Sequence, residues 1–155
     1  MKSTIPPLSP YGSFHGTLFQ YTTPFPSLTA FESVPKDIHL ENDFDSIPAN
    51  KCILLGGLSD GLIPTPYAKQ LEHVCHSLGW SLVQPILSSS YLGFGNTSLE
   101  NDSIEIQKLL TYLSCHRRGQ TFAIVGHSTG CQNAIHLMKY GDMDIIQQIK
   151  VNSNG

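Results

Sequence analysis

From Lys51 onward, short and almost continuous apolar runs alternate with longer stretches whose apolar residues recur at helical spacing. Lys51-Cys52-Ile53-Leu54-Leu55-Gly56 has the pattern of a strand buried on both faces. After the loop Gly57–Leu62, Thr65 offers an N-cap. Pro66 fits the first helical position, where its missing N–H would be an orphan anyway. Tyr67, Leu71, Val74, Cys75 and Leu78 then mark a helix, and Gly79 can end it in a left-handed conformation. The unit repeats. Trp80–Leu87 reads as a strand, Ser88–Thr97 as a loop, and Ser98–His116 as a helix with Ile106, Leu109, Leu110 and Leu113 on one face. Thr121–Val125 is another buried strand. A helix begins just after Ser128, marked by Cys131, Ala134, Ile135 and Met138 and stopped at Gly141. Asp142–Ile149 predicts one more short helix, and Val151–Gly155 a polar end.

Before Lys51 turn formers dominate. Two β-like runs, Ser13–Thr22 and Ser27–Ser33, flank Pro24-Phe25-Pro26 and predict an antiparallel pair. Lys36–Asn50 is a polar connection. Strands alternating with amphipathic helices of this length imply βαβ crossovers and a parallel sheet. The expectation is a single α/β domain over residues 1–155: a strand pair and connection over 13–50, and a βαβ core over 51–149.

Composition narrows the function classes. A chain of 155 residues with a net charge of −3 carries no electrostatic footprint for nucleic acid or an anionic membrane. No apolar run approaches the roughly 20 residues of a bilayer span. Prolines interrupt the opening Met1–Pro7, so no secretory signal is expected. Cys52, Cys75, Cys115 and Cys131 are widely spaced, and three of them fall on strand or helix faces expected to be apolar. They read as reduced thiols of a cytoplasmic protein, and no ligand cluster for a metal is visible.

Chemistry enters at Gly126-His127-Ser128-Thr129-Gly130, a GxSxG sequence at a strand-to-helix junction. A serine held between strand and helix in a strained backbone needs small neighbours two positions away, and Gly126 and Gly130 meet that need. The helix starting there points its first amides at the site, where they favour developing negative charge. Ser128 is the expected nucleophile. In such an elbow one oxyanion donor is the N–H after the nucleophile, here Thr129, and the other comes from the loop after an earlier strand. Gly56 and Gly57 end such a strand and let the backbone approach a substrate oxygen, so Leu58 is the candidate second donor. An ordinary strand-to-helix turn at Gly56-Gly57, and a merely structural glycine turn at Gly126–Gly130, remain alternatives. Gly56–Gly61 is not GxGxxG and lacks the GK[ST] of a P-loop, so a nucleotide site is not expected.

Four segments occur together: Gly56-Gly57-Leu58-Ser59-Asp60-Gly61-Leu62, Gly79-Trp80-Ser81-Leu82-Val83-Gln84-Pro85, Ser88-Ser89-Ser90-Tyr91-Leu92-Gly93-Phe94-Gly95 and Gly126-His127-Ser128-Thr129-Gly130-Cys131-Gln132. In this order they resemble a family of α/β-hydrolase-like proteins from fungi and plants, long catalogued as of unknown function. Its fungal members include esterases that hydrolyse the siderophore fusarinine C. The resemblance covers roughly Ser13–Ile149. It implies the N-terminal part of an α/β-hydrolase fold, a mostly parallel sheet with an antiparallel N-terminal strand pair. It also implies a cytosolic serine esterase acting on a small-molecule ester without cofactor, with Ser128 as nucleophile and Leu58 and Thr129 as oxyanion donors.

In that fold the triad acid and then the histidine follow the serine, whereas only residues 129–155 follow Ser128 here. Asp142 and Asp144 come too early for the acid. His136 lies about two turns along the nucleophile helix, and His127 points away as the serine's neighbour. His15, His39, His73, His76 and His116 are expected to be surface or structural. The expectation is a truncated hydrolase domain whose serine lacks its base, with self-association through the open edge of the Thr121–Val125 strand. Two alternatives stand beside it: a non-catalytic product or pseudoenzyme with at most a binding role, and a small flavodoxin-like binding domain.

Overall fold

The computed structural model describes residues 11–38 and 44–150. The expectations for the N-terminal heptapeptide, His39 and the polar end 151–155 lie outside them. Five strands form one sheet: β1 (Gly16–Gln20), β2 (Thr29–Ser33), β3 (Asn50–Leu55), β4 (Trp80–Pro85) and β5 (Thr121–Gly126), in the order β1-β2-β4-β3-β5. β2 runs antiparallel to β1 and to β4, while β3 is parallel to both β4 and β5. The expected N-terminal pair and parallel core are therefore present. The parallel order β4-β3-β5 is the 2-1-3 start of a flavodoxin-like sheet as well, but the antiparallel β1 and β2 at its edge are those of the expected hydrolase-type sheet and have no place in that alternative.

Helices α1 (Ala68–Ser77), α2 (Leu99–His116), α3 (Thr129–Tyr140) and α4 (Met143–Lys150) cover the sheet. Alternation along β3 divides the core. Cys52 and Leu54 join Leu82 and the α1 residues Ala68 and Cys75 on one side. Ile53 and Leu55 join Ile106, Leu109, Leu110 and Leu113 of α2 and Leu137 of α3 on the other. Ser98 caps α2, its hydroxyl accepting from the Asn101 amide at 3.1 Å. Gly79 follows α1 at φ +77°, the left-handed stop expected there.

Three expectations need correction. α1 begins at Ala68, because residues Thr65–Tyr67 form a turn in which the Thr65 carbonyl accepts from the Ala68 amide. Its buried residues are Ala68, Glu72 and Cys75, whereas Tyr67, Val74 and Leu78 are exposed. Glu72 is drawn inward by the Ser33 hydroxyl and by Lys69, and this rotates the helix from its apolar stripe. On α3 the buried residues are Gly130, Asn133 and Leu137. Cys131 and Ile135 face outward, so Cys131 is an exposed thiol, as is Cys115. The small Gly130 turns that face of α3 towards β3, and Ile135 and Met138 line the outer face beside Ile124.

At the start of the parallel strands lies a largely buried ion cluster. Glu32 of β2 accepts from Lys51 of β3, from Arg117 beyond α2, and from the Ser81 hydroxyl of β4 at 2.6 Å. Both Lys51 and Glu32 are entirely shielded from solvent. Burial pulls the Lys51 amine below its usual range, and Glu32 works against that. Removing one member of such a set strands the others. Glu32→Ala is expected to cost roughly 3–5 kcal/mol in urea unfolding, with part of the loss recovered when Lys51→Met is added and the rest reflecting Arg117, which stays unpaired. A loss below about 1 kcal/mol would mean that Lys51 finds another partner.

Candidate active site

β5 and α3 meet at Ser128, whose backbone has φ 54° and ψ −118°, a conformation L-residues avoid. The turn is held by the His127 amide donating to the Leu55 carbonyl at 2.9 Å, by Gly130 to His127 at 2.8 Å, and by Cys131 to Ser128 at 3.0 Å. The flanking glycines are steric necessities. A Cβ on Gly126 would fall 2.6 Å from the Cys131 nitrogen. One on Gly130 would strike the Leu55 carbonyl and come within 2.7 Å of the Gly56 oxygen. Ser128 itself is exposed, at the start of α3.

The loop after β3 completes the other side. Asp60 folds back to accept from the Gly57 amide at 2.7 Å, so the next amide along is that of Leu58. A Cβ on Gly57 would stand 3.1 Å from Ser128 Cβ and 3.5 Å from its hydroxyl oxygen, so this backbone lies directly against the serine. The loop has a second brace from the β4–α2 segment. The Tyr91 ring lies against Gly61, and its hydroxyl accepts from the Leu62 amide at 3.0 Å.

Gly56, Gly57, Leu58 and Thr129 line one cavity of about 190 Å³, next to Ser128. Gly126 and Gly130 shape the turn behind it. The Leu58 side chain points to solvent, 60% exposed, which leaves only its backbone for the site. His127 is engaged through Nδ1 with the Tyr67 hydroxyl at 3.0 Å, and His136 through Nδ1 with Ser103 at 2.7 Å. Among the described residues no hydrogen bond joins either ring to Ser128, and no cluster of metal-binding side chains occurs.

Sequence reasoning missed Asp60, Tyr91, Asp102 and Asn133. Asp60 and Tyr91 stand inside quoted motifs, but nothing local says that one closes a loop and the other braces it. Asp102 and Asn133 are polar residues on helices, a type read by default as solvent-facing. Both are buried and line the cavity. Burial pushes the Asp102 carboxyl above its usual range, opposed by hydrogen bonds from Ser89 and Asn133 and reinforced by Glu105.

The profile of a family described as "protein of unknown function (DUF1749)" matches residues 11–152. A UPF0613 protein of Schizosaccharomyces pombe is 35% identical over 81% of this chain and 40% of its own length. The fusarinine C esterase sidJ of Aspergillus fumigatus is 29% identical over 83% of this chain and 36% of its own. Among solved structures, the siderophore hydrolase EstB of Aspergillus fumigatus superposes with a TM-score of 0.65 at 30% identity, covering 82% of this chain and 36% of that one. The chain thus spans well under half the length of these relatives.

Asp102 links the site to stability. A carboxyl whose folded pKa is raised favours folding only while protonated, and that contribution is lost as pH rises from the ordinary range through the folded value. Asp102→Asn is therefore expected to raise the melting temperature at pH 7, and the gain should vanish as pH falls below about 3.8, where both states are protonated. A uniform gain or loss across pH would contradict the assignment.

Proposed function

Because this chain belongs to the DUF1749 family of α/β-hydrolase fold, we propose that it carries the nucleophile and oxyanion side of a serine esterase for small-molecule esters. The observation behind this reading is the strained Ser128 set against the Gly57 backbone. In the reaction, Ser128 Oγ passes its proton to a general base, which later returns it to the departing alcohol, and adds to the ester carbonyl; the oxygen that becomes negative is met by the Leu58 and Thr129 amides. Collapse expels the alcohol with a proton and leaves an acyl-serine, which water hydrolyses to the acid and free serine. The names of the esterase and siderophore hydrolase among its relatives favour siderophore-like esters as substrates. No cofactor takes part in this scheme.

His127 and His136 are committed to Tyr67 and Ser103, so we assign the activating acid and histidine to neither, and propose that these 155 residues turn over esters poorly if at all. A purely binding or non-catalytic role is the second reading, favoured by the same commitment of both rings. Four free thiols suit a cytoplasmic setting. Among the described residues no helix is long and apolar enough to cross a membrane.

Fluorophosphonate labelling followed by peptide mapping tests the nucleophile. Modification is expected at Ser128, absent in Ser128→Ala and slowed about 10-fold or more in Gly57→Ala, whose methyl would displace the donor loop. Modification only at other residues overturns the assignment. Ester turnover by these 155 residues that disappears in Ser128→Ala overturns the claim of a missing base. The open side of β5 and the apolar residues Ile124, Ile135 and Met138 beside it suit self-association. Sedimentation should show mass rising with concentration, suppressed by Ile135→Lys; a concentration-independent monomer would contradict it.

A further inference from the structure

The cavity beside Ser128 contains acceptor atoms that the esterase chemistry does not use. Thr129, Gln132 and Asn133 are spaced to share one face of α3, and Asp102 enters from α2. Asp102 is 5% and Asn133 6% exposed. Ser89 lines the same cavity. Asp102 Oδ1 and Asn133 Oδ1 nevertheless have no partner among the described residues. Folded proteins rarely leave two buried acceptors facing one space without a donor supplied from outside.

Charge narrows the donor. The cavity wall includes Asp60 and Asp102 and no lysine, arginine or histidine. Asp60 is answered by the Gly57 amide. Asp102 stands in the first turn of α2, whose dipole offsets part of its charge. That offset is incomplete, since burial still dominates its titration. A hydroxyl brings one donor and no charge, and a carboxylate or phosphate would be repelled. An ammonium group brings three donors and the missing positive charge.

We propose that Asp102 and Asn133, with Ser89 beside them in the cavity wall, form a recognition subsite for an ammonium group carried by the ester substrate. The idea deepens the esterase reading and rests on it for the word substrate, but binding at the subsite does not require Ser128 to react.

The test compares two esters of equal length and shape, methyl 6-aminohexanoate and methyl heptanoate, titrated into the protein near pH 7. Binding is followed by NMR at the Asn133 side-chain amide and the Thr129 backbone amide. The ammonium ester should bind about 10-fold tighter or better, and the preference should disappear in Asp102→Asn and weaken in Ser89→Ala. Asn133→Leu carries the same comparison if Asp102→Asn fails to fold. Equal affinities, or a preference that survives both Asp102→Asn and Asn133→Leu, overturn the subsite. Fluorophosphonate labelling reports separately on Ser128. An ammonium preference with Ser128 unlabelled keeps the subsite and removes the nucleophile, whereas labelling without preference does the reverse.

Discussion

The first turn of α3 rests on the carboxyl end of β3 with no side chain between them. Gly130 faces the Leu55 and Gly56 carbonyls at a distance that no Cβ could share. From this contact the rest follows. It fixes how far α3 can advance over the sheet, hence the angle between β5 and α3, and hence the positive φ forced on Ser128. It also brings the loop leaving β3 alongside that serine, with Gly57 as the facing residue. The strain at Ser128, of order 1–3 kcal/mol, is sustained by the ladder between β3 and β5, whose last step is the His127 amide on Leu55.

The two ends of the sheet do different work. At the carboxyl ends of the parallel strands the backbone is bent, glycine-rich and open to a cavity, the place where α/β sheets generally accept ligands. At the amino ends Glu32 ties β2, β3, β4 and the segment after α2 together through charged and hydroxyl donors. Such a cluster adds less net stability than an apolar core would, but it penalises any slip in register that would leave one charge unmatched. Rigid pairing there supports irregular backbone at the opposite end.

Much of this was legible in the sequence, and the remainder was not for definite reasons. The continuous apolar runs at Cys52–Leu55 and Thr121–Val125 do form strands, the first buried on both faces and the second, against expectation, only half-buried at the sheet edge with Phe122 inside, and Ile106, Leu109, Leu110 and Leu113 do form the inner face of α2. The turn at Ser128 was legible because glycine is the only residue its neighbours permit. On α1 and α3 the apolar stripe held only in part: Leu71, Cys75 and Ala134 pack on the core, whereas Tyr67, Val74, Leu78, Cys131 and Ile135 do not. A polar residue was pulled inward by partners far along the chain, Ser33 for Glu72, and Gly130 set its helix by what it lacks. Neither cause is visible within a window of neighbouring residues. Asp102 and Asn133 escaped for the same reason, since their burial depends on two helices meeting over one loop.

Tyr91 seated on Gly61 joins two stretches separated by a whole helix and strand. The Gly56–Leu62 loop and the segment entering α2 are therefore pinned to each other. Evolution cannot reshape the second without disturbing the first, so diversification of this pocket must proceed by paired exchange. A protein engineer grafting a foreign β4–α2 segment would have to transplant the Gly56–Leu62 loop with it, as a single cassette.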